Sequence, residues 1–386
     1  MIQLGFLVIT QLIGLWLLAR LLMTPKAPMP KPGKPFPSVT VVIPAHNEVR
    51  RIGALLDSLA LLESFLPDCE VVVVDDRSTD GTATLARSYG VQVVELVENT
   101  PPQQGSSKVE DGSFRNPKAR ALQYAAEKIH GEVIVFFDAD VVIRDPNYLL
   151  QAIVLVGSET RPLMVSVQPY HEAVGFVESL SLYPNVISLM ASGAFTPLNA
   201  FGVTRVAFGP ALILRRTTYE VIGGHGMALH SILDDVALAQ AVRSLPDGEV
   251  RVQGGRSGLS FRMYPEGLRA IIEGFGKNIA GGATTAPPFS SLGAALWFAG
   301  GAAASAGLAM VHATITARLI ALCEYLVVGV LQFLEGRRVG RFSWTALVLL
   351  PLVQVSFVGI FLLSILRKVV LGRVKWKGQS LRIRSR

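Results

Sequence analysis

The sequence predicts an α/β fold: a mainly parallel sheet with helices on both faces, joined to membrane-type helices. Three observations carry this expectation. Between about Pro37 and Tyr264, short runs rich in β-branched residues alternate with helical stretches, the pattern of a parallel sheet wrapped in helices. Three of those runs end in acidic or amide residues, which a core has no use for. Half of the 386 residues are hydrophobic and only 17% are charged, against about 25% in an ordinary soluble domain. That balance excludes a wholly soluble or disordered chain.

The first nineteen residues are uncharged and mostly apolar, about enough to cross a bilayer. No Lys or Arg precedes them, so the positive start of a secretory signal is missing. Arg20, Lys26, Lys31 and Lys34 follow, which by the positive-inside rule starts the rest of the chain in the cytosol. Residues 1–23 thus read as an uncleaved anchor and residues 24–37 as a Pro-rich spacer. The β-rich runs that follow are 38–44, 70–76, 91–96, 132–138 and 163–168. The domain they build extends over 38–264. Residues 97–117 form a polar loop that could serve as a lid. Phe176–Gly202 holds one charge, Glu178, and two prolines. It reads either as broken helices lining an acceptor site against the membrane or as a buried core helix.

In 265–283, Leu268, Ile271, Ile272, Phe275 and Ile279 share one helical face, and Arg269, Glu273 and Lys277 another. This is the pattern of a helix lying in a membrane interface. Within 287–366 three further spans are expected, at about 289–311, 314–334 and 344–366. The second is weakened by Arg318 and Glu324. A glutamate inside a span is a functional candidate, though pairing with Arg318 or a neighbouring helix accounts for it equally. The last twenty residues hold eight Lys/Arg and no acid, and the rest of the chain holds 28 basic and 29 acidic residues. The net charge of +7 is therefore a tail, read as lying beside membrane phosphates and not nucleic acid. Four spans from an outside N-terminus would leave that tail outside, against the positive-inside tendency. Cys69 and Cys323 stand far apart, which argues against a disulfide framework and a cysteine zinc site.

The first strand ends at Pro44 and runs into His46-Asn47-Glu48. The second ends in Asp75-Asp76, the fourth in Asp138-Ala139-Asp140. In such sheets ligands bind beyond the carboxyl ends of the strands. Carboxylates there suit a nucleotide-sugar site: one can accept from a base or ribose, and a D-x-D pair can hold a hard divalent cation such as Mg²⁺ or Mn²⁺ through oxygen. Neither a G-x-G-x-x-G dinucleotide turn nor a phosphate-binding P-loop motif is present. Lys118 could reach a diphosphate, or be a solvated lysine at a helix start. Asp234 and Asp235 open a helical run, as dipole partners or with a carboxylate facing the sugar donor as general base for an acceptor hydroxyl. His225 could add a phosphate, metal or acceptor contact, or be a turn histidine. Arg262 and Lys277 could meet the diphosphate or lipid headgroups.

These ordered motifs resemble glycosyltransferase family 2, whose members have the GT-A fold, over about Pro37 to Lys277. The resemblance implies that Asn47 and Glu48 lie near the nucleotide and that Asp76 reads the base. It also implies that Asp138 and Asp140 form the metal motif and that Asp235, with Asp234 beside it, is the general base. Further stretches, at 165–171, 207–210, 223–225, 261–267, 337–343 and 374–378, are similar to membrane glycosyltransferases acting on the carotenoid acid 4,4′-diaponeurosporenoate. The same layout is similar to ceramide- and hopanoid-type lipid glycosyltransferases. What the resemblance implies is an inverting, metal-dependent enzyme of the plasma membrane with a cytosolic catalytic domain. Its donor would be a UDP-sugar, UDP-glucose in the first instance, and its acceptor an apolar lipid. The Q-x-x-R-W of processive synthases is matched here only by Gln240-Ala-Val-Arg243-Ser244, without the Trp, which counts against a polysaccharide synthase. A scaffold built on an inactive domain is the non-enzymatic alternative, opposed by the intact carboxylates.

Overall fold

The computed structural model describes residues 2–23, 36–96, 116–201, 205–231, 233–256, 258–282, 286–309, 314–369, 373–376 and 379–382. Most of the Pro-rich spacer, the body of the expected lid at 97–115 and parts of the basic tail lie outside them. Two compact units emerge. One comprises Met23–Tyr170 and Ala207–Phe261; the other comprises Met1–Leu22, His171–Val206 and Arg262–Arg386.

The first unit is the expected α/β domain. Its strands are β1 (Val39–Ala45), β2 (Glu70–Asp75), β3 (Gln92–Glu95), β4 (Val133–Phe137), β5 (Val141–Ile143) and β6 (Leu163–Gln168). The helices between them are α2 (Ile52–Leu59), α3 (Thr82–Ser88), α4 (Pro117–Tyr124) and α5 (Pro146–Ser158). All five runs read as strands from the sequence are strands. The seven-stranded sheet runs β3-β2-β1-β4-β8-β6-β9. It takes in two strands the alternation did not reveal, β8 (Ala211–Arg215) and β9 (Glu249–Gly254). β8 inserts between β4 and β6, antiparallel to both, while the other pairings are parallel.

Both faces of the sheet are buried, which is why its strands read as unbroken apolar runs. On one face Val42, Val72, Val74, Ile134, Phe136 and Leu212 pack against Leu122 of α4 and against Leu238 and Val242 of α9 (Asp234–Ser244). α5 packs against β4, β6 and β8. The short α8 (Arg216–Val221) follows β8, and β10 (Leu259–Phe261) pairs antiparallel with β5.

The second unit is helical. Its long helices are α1 (Ile2–Leu17), α7 (Leu182–Ser192), α10 (Leu268–Gly282), α11 (Pro288–Gly307), α12 (Ile315–Val339) and α14 (Leu350–Val369). Short pieces join them: β7 (Tyr170–Glu172), α6 (Gly175–Ser179), β11 (Gly340–Arg341), α13 (Trp344–Val348), β12 (Arg373–Trp376) and β13 (Gln379–Arg382). α1 runs parallel to α12: Gln3 Nε2 donates to Glu324 Oε2 at 2.7 Å, Leu7 packs with Val328, and a Cβ at Gly14 would meet Glu335. Against α11, α1 is antiparallel, since Gly300 abuts Thr10 and Gly293 abuts Leu17. Small residues at these crossings let the helices approach closely. Glu324 is thus partnered by α1.

Among the described residues, α12 is the one helix long and apolar enough to cross a membrane by length and composition. The stretch expected as one span at 344–366 divides at Leu349, just before Pro351, into α13 and α14. The proline ring cannot continue a preceding helix without loss of a hydrogen bond.

One tight spot in the α/β unit can be tested. A Cβ added at Gly131 would lie 2.4 Å from the Thr40 backbone nitrogen, at the start of the β1–β4 pairing. Gly131→Ala should cost about 1–3 kcal/mol of stability, measured as a lower Tm. Gly359→Ala, which opens into free space, should leave Tm unchanged or slightly raised.

Candidate functional site

Two loops leaving β1 and β2 are stitched into one rim. Asn47, in the left-handed region at φ 54°, receives a backbone bond from Thr79 N on its Oδ1 at 2.8 Å, and its own N–H donates to Ser78 Oγ at 2.9 Å. Glu48 N donates to Thr82 Oγ1 at 2.8 Å and Val49 N to Asp80 Oδ2 at 3.1 Å. Ser78-Thr79-Asp80 therefore serves both rim and helix: Asp80 Oδ1 also accepts from Thr82 N at 3.0 Å as α3 begins. Asp76 is buried on this rim. Its Oδ1 accepts from Arg77 Nε at 2.9 Å and from Arg120 Nη2 at 3.0 Å.

The carboxylates expected from the sequence meet at the same edge. Asp138 N donates to Pro210 O at 2.9 Å, which fixes the turn leaving β4 to the loop before β8. In that loop a Cβ at Gly209 would lie 3.2 Å from Asp235 Oδ2. Lys118 Nζ sits 2.5 Å from Asp138 Oδ1 and 3.9 Å from Asp234 Oδ2. Burial works against the Lys118 ammonium, but the charges of Asp138 and Asp234 outweigh it and raise its pKa. Burial, then the negative charges of Asp138 and Glu48, push Asp140 up to about 7. Burial and the charge of Asp234 do the same to Asp235, also to about 7. The Glu48 carboxylate pairs with Arg51 at 2.8 Å.

α4 is placed by Asn116. Its Oδ1 accepts from Ala119 N at 3.2 Å, with Pro117 in the first turn. Its Nδ2 donates to Ser231 O at 3.0 Å and Asp234 Oδ1 at 3.3 Å. One side chain thus ties the starts of α4 and α9 together and carries Lys118 to the carboxylates. Asn116, Arg120, Arg51 and Gly209 were not among the residues marked from the sequence. The Asn-Pro pair is a readable helix start, whereas the reach of the other three depends on neighbours distant in the chain.

His225 is fully buried beside this group. Tyr219 Oη accepts from the His225 backbone N–H at 3.1 Å and shares a hydrogen bond with the ring Nδ1 at 2.8 Å. The ring Nε2 has no hydrogen-bond partner among the described residues. Burial lowers the ring pKa to about 4, so it is neutral. Arg262 belongs to the helical unit, where its guanidinium is paired with Glu178 at 2.5 Å. Lys277 lies in α10, and its side chain is outside the described residues.

With this geometry established, the chain was compared with known proteins. Residues 40–217 match the family described as Glycosyl transferase family 2. The chain is 32% identical over 347 residues to the 4,4'-diaponeurosporenoate glycosyltransferase of Staphylococcus aureus strain USA300, covering 89% of this chain and 88% of that one. The corresponding protein of strain MRSA252 is 32% identical over 348 residues, with the same coverage. Among solved structures, the mannosyltransferase PcManGT from Pyrobaculum calidifontis, in complex with GDP-Man and Mn²⁺, is similar in fold. It has TM-score 0.51 and 18% identity, over 96% of this chain and 98% of that one.

Gly209 offers a test of the carboxylate edge. The 3.2 Å approach to Asp235 means that Gly209→Ala must displace that carboxylate by a few tenths of an ångström. Turnover should fall on the order of tenfold while Tm stays at the parent value. Full turnover would show that the Asp235 carboxylate does not need its present position.

Proposed function

This chain belongs to glycosyl transferase family 2 and is a glycosyltransferase with the GT-A fold, and we propose that it is a membrane-bound, inverting hexosyltransferase. In this reading it moves glucose from UDP-glucose to the carboxyl of an apolar, carotenoid-type acid. The observation that carries the proposal is the gathering of Asp138, Asp234 and Asp235 about Lys118 at one sheet edge, with Asp140 and Glu48 on the other side of Asp138. The names of the relatives support the acceptor class.

The residues present fit a divalent cation. Asp138 and Asp140 offer oxygen donors only, and burial with the charges of Asp138 and Glu48 leaves Asp140 hard to ionise without added positive charge. Among the described residues no three His, Cys, Asp or Glu side chains form a complete cage. The pair would hold Mg²⁺ or Mn²⁺ in company with phosphate oxygens, a common arrangement for Mg²⁺. Once bound, the ion would neutralise charge on the leaving diphosphate. Lys118 supplies a second positive charge there, kept protonated by Asp138 and Asp234. Asp76, with Arg77 and Arg120, would face the base; Asn47 and Glu48 hold the rim on which the nucleotide lies. Pro44 ends the strand that carries them. His225 offers its unpartnered Nε2, and Arg262 or Lys277 would contact acceptor or headgroup.

Asp235 acts on the acceptor oxygen that attacks C1 of the sugar as the diphosphate leaves. A carboxylic acceptor is already ionised near neutral pH. Asp235 then serves best protonated, as a donor that orients the acceptor, because its ionised form repels it. An alcohol acceptor needs the ionised form as base. Since Asp235 titrates near pH 7, the two cases have opposite signs. kcat/KM for a carboxylate acceptor should fall as pH rises through about 7, and for an alcohol acceptor it should rise. Asp235→Asn should keep much of the activity on the acid and remove the pH dependence, while losing nearly all activity on an alcohol.

The helical unit supports the membrane part of this reading. α12 is exposed along Leu319, Leu322, Leu326, Val330 and Leu334, and α1 along Leu4, Ile9 and Leu12, faces suited to lipid. With α1 and α12 parallel and α11 antiparallel, Arg20, Arg337, Arg338 and Arg341 all fall on one side, as the positive-inside rule asks of the cytosolic side. We place the enzyme in the plasma membrane with its α/β unit in the cytosol.

The direct test is lipid mass spectrometry on cells with and without the protein, together with membranes fed UDP-glucose and Mn²⁺. One lipid heavier by a single hexose, absent in Asp140→Ala, is the expected result. Its residual mass identifies the acceptor. A polymer product would overturn the single-transfer reading, and no product with any nucleotide sugar would overturn the transferase assignment.

A further inference from the structure

The turn after β2 clamps Asp76 through its backbone. Asp76 N donates to Ala45 O at 2.8 Å, and Asp76 O lies 2.6 Å from His46 Nδ1. Its carboxylate is held on one oxygen only. Oδ1 accepts from Arg77 Nε at 2.9 Å and from Arg120 Nη2 at 3.0 Å. A carboxylate oxygen has two lone-pair sites, so Oδ1 is saturated. Oδ2 accepts from none of the described residues, and it is open to the surface. The buried Asp76 thus offers a ligand one acceptor oxygen, not two.

The two arginines reach that oxygen by different routes. Arg77 is the next residue in the chain, held in the left-handed region at φ 59°. Arg120 comes from α4, which packs on β1 and β2. Among the described residues the Arg120 side chain makes no hydrogen bond besides the one to Asp76, and its Nε is buried without a partner. The side chain as a whole is 41% exposed, so its remaining terminal N–H groups are free to donate to a ligand. The rim therefore presents one acceptor, Asp76 Oδ2, with a fork of donors beside it.

Nucleobases differ in how they meet such a pattern. Uracil has a ring N–H between two carbonyls, so Oδ2 takes the N–H and Arg120 donates to a carbonyl. Adenine and cytosine carry a lone pair at the corresponding ring nitrogen, which a carboxylate repels. Guanine has a ring N–H and an amino group side by side, and a carboxylate grips that edge with both oxygens. Here the second oxygen is already filled, and the guanidinium beside it would set N–H against N–H. The guanine amino group is left without its partner, and polar groups left unpaired are what such a site discriminates against.

We propose that Arg120 is the base-selecting residue of the donor site: by filling Asp76 Oδ1 and donating to a ring carbonyl, it admits uracil and rejects guanine. This rests on the reading that Asp76 faces the base. Thymine shares the uracil edge, so the class selected is the pyrimidine-2,4-diones.

The test is equilibrium binding of UDP, GDP and CDP, each with Mn²⁺, to the full chain in detergent micelles. Pyrophosphate with Mn²⁺ is the probe that lacks a base. The parent chain should bind UDP on the order of a hundredfold tighter than GDP or CDP. Arg120→Met keeps a long side chain on α4 but removes the donors. It should weaken UDP about tenfold or more and leave pyrophosphate at the parent affinity. GDP should bind as before or tighter, because Oδ1 is partly freed, so the preference for UDP over GDP collapses. Equal losses for UDP, GDP and pyrophosphate overturn the proposal, since Arg120 then acts on the diphosphate or the fold. GDP bound as tightly as UDP by the parent chain overturns it too. Asp76→Ala separates this failure from that of the underlying reading. If Asp76→Ala weakens UDP but Arg120→Met leaves the UDP-to-GDP ratio intact, the base lies at Asp76 and only the role of Arg120 falls. If Asp76→Ala leaves UDP affinity at the parent value, the base lies elsewhere and the reading falls with the proposal.

Discussion

Lys118 between Asp138 and Asp234 is the contact on which the working edge of the α/β unit depends. Asp235 stands near it too, Asp140 and Glu48 stand near Asp138, and charges about 4 Å apart at a protein surface interact by roughly 4 kcal/mol at an effective dielectric of 20. One ammonium cannot balance them all. Burial first, and these charges second, push Asp140 and Asp235 up to about 7, and the edge is built to receive further positive charge. The position of Lys118 is in turn set by Asn116, which starts α4 and reaches across to α9. Displacing that asparagine would move the lysine, and with it the charge balance of the whole edge.

The helical unit solves a different problem with similar means. Apolar helices slide past one another unless something specifies their register. Here the specification is polar and buried: Gln332 Nε2 donates to Trp297 O at 2.7 Å and its Oε1 accepts from Tyr183 Oη at 2.7 Å. Gln354 Nε2 donates to the same phenol at 2.9 Å. Trp297 Nε1 donates to Glu335. Glycines at 14 and 301 make room for these side chains, where a Cβ would collide. Satisfied polar groups in an apolar setting fix one arrangement, because any slip leaves them unpaired.

The parts of this protein that were legible in its sequence are those set by local pattern. Val-rich runs bounded by acids announced β1, β2, β3, β4 and β6, because a strand buried on both faces must be apolar throughout. Asp138, Asp140, Asp234, Asp235 and Lys118 were legible for a related reason: a carboxylate or lysine at the end of a buried element is costly unless it has a task. Glu324 drew notice as a charge within an apolar run, but its partner on α1 lies at the other end of the chain. Glu335 escaped notice because it stood one residue beyond the expected span, among arginines that look like a helix terminus.

Taken by itself, the sequence determined the alternation of strands and helices, the carboxylates at the strand ends, the apolar start of the chain and the apolar stretches ahead of its basic tail. Each follows from side-chain chemistry within a window of a few residues. Only the tertiary structure decided that β8 enters antiparallel between β4 and β6, that Gly209 abuts Asp235, and that Arg120 reaches Asp76. It also decided that α14 packs along α10. These are relations between segments far apart in the chain, selected by packing and charge balance after the elements have formed, and no local pattern carries them.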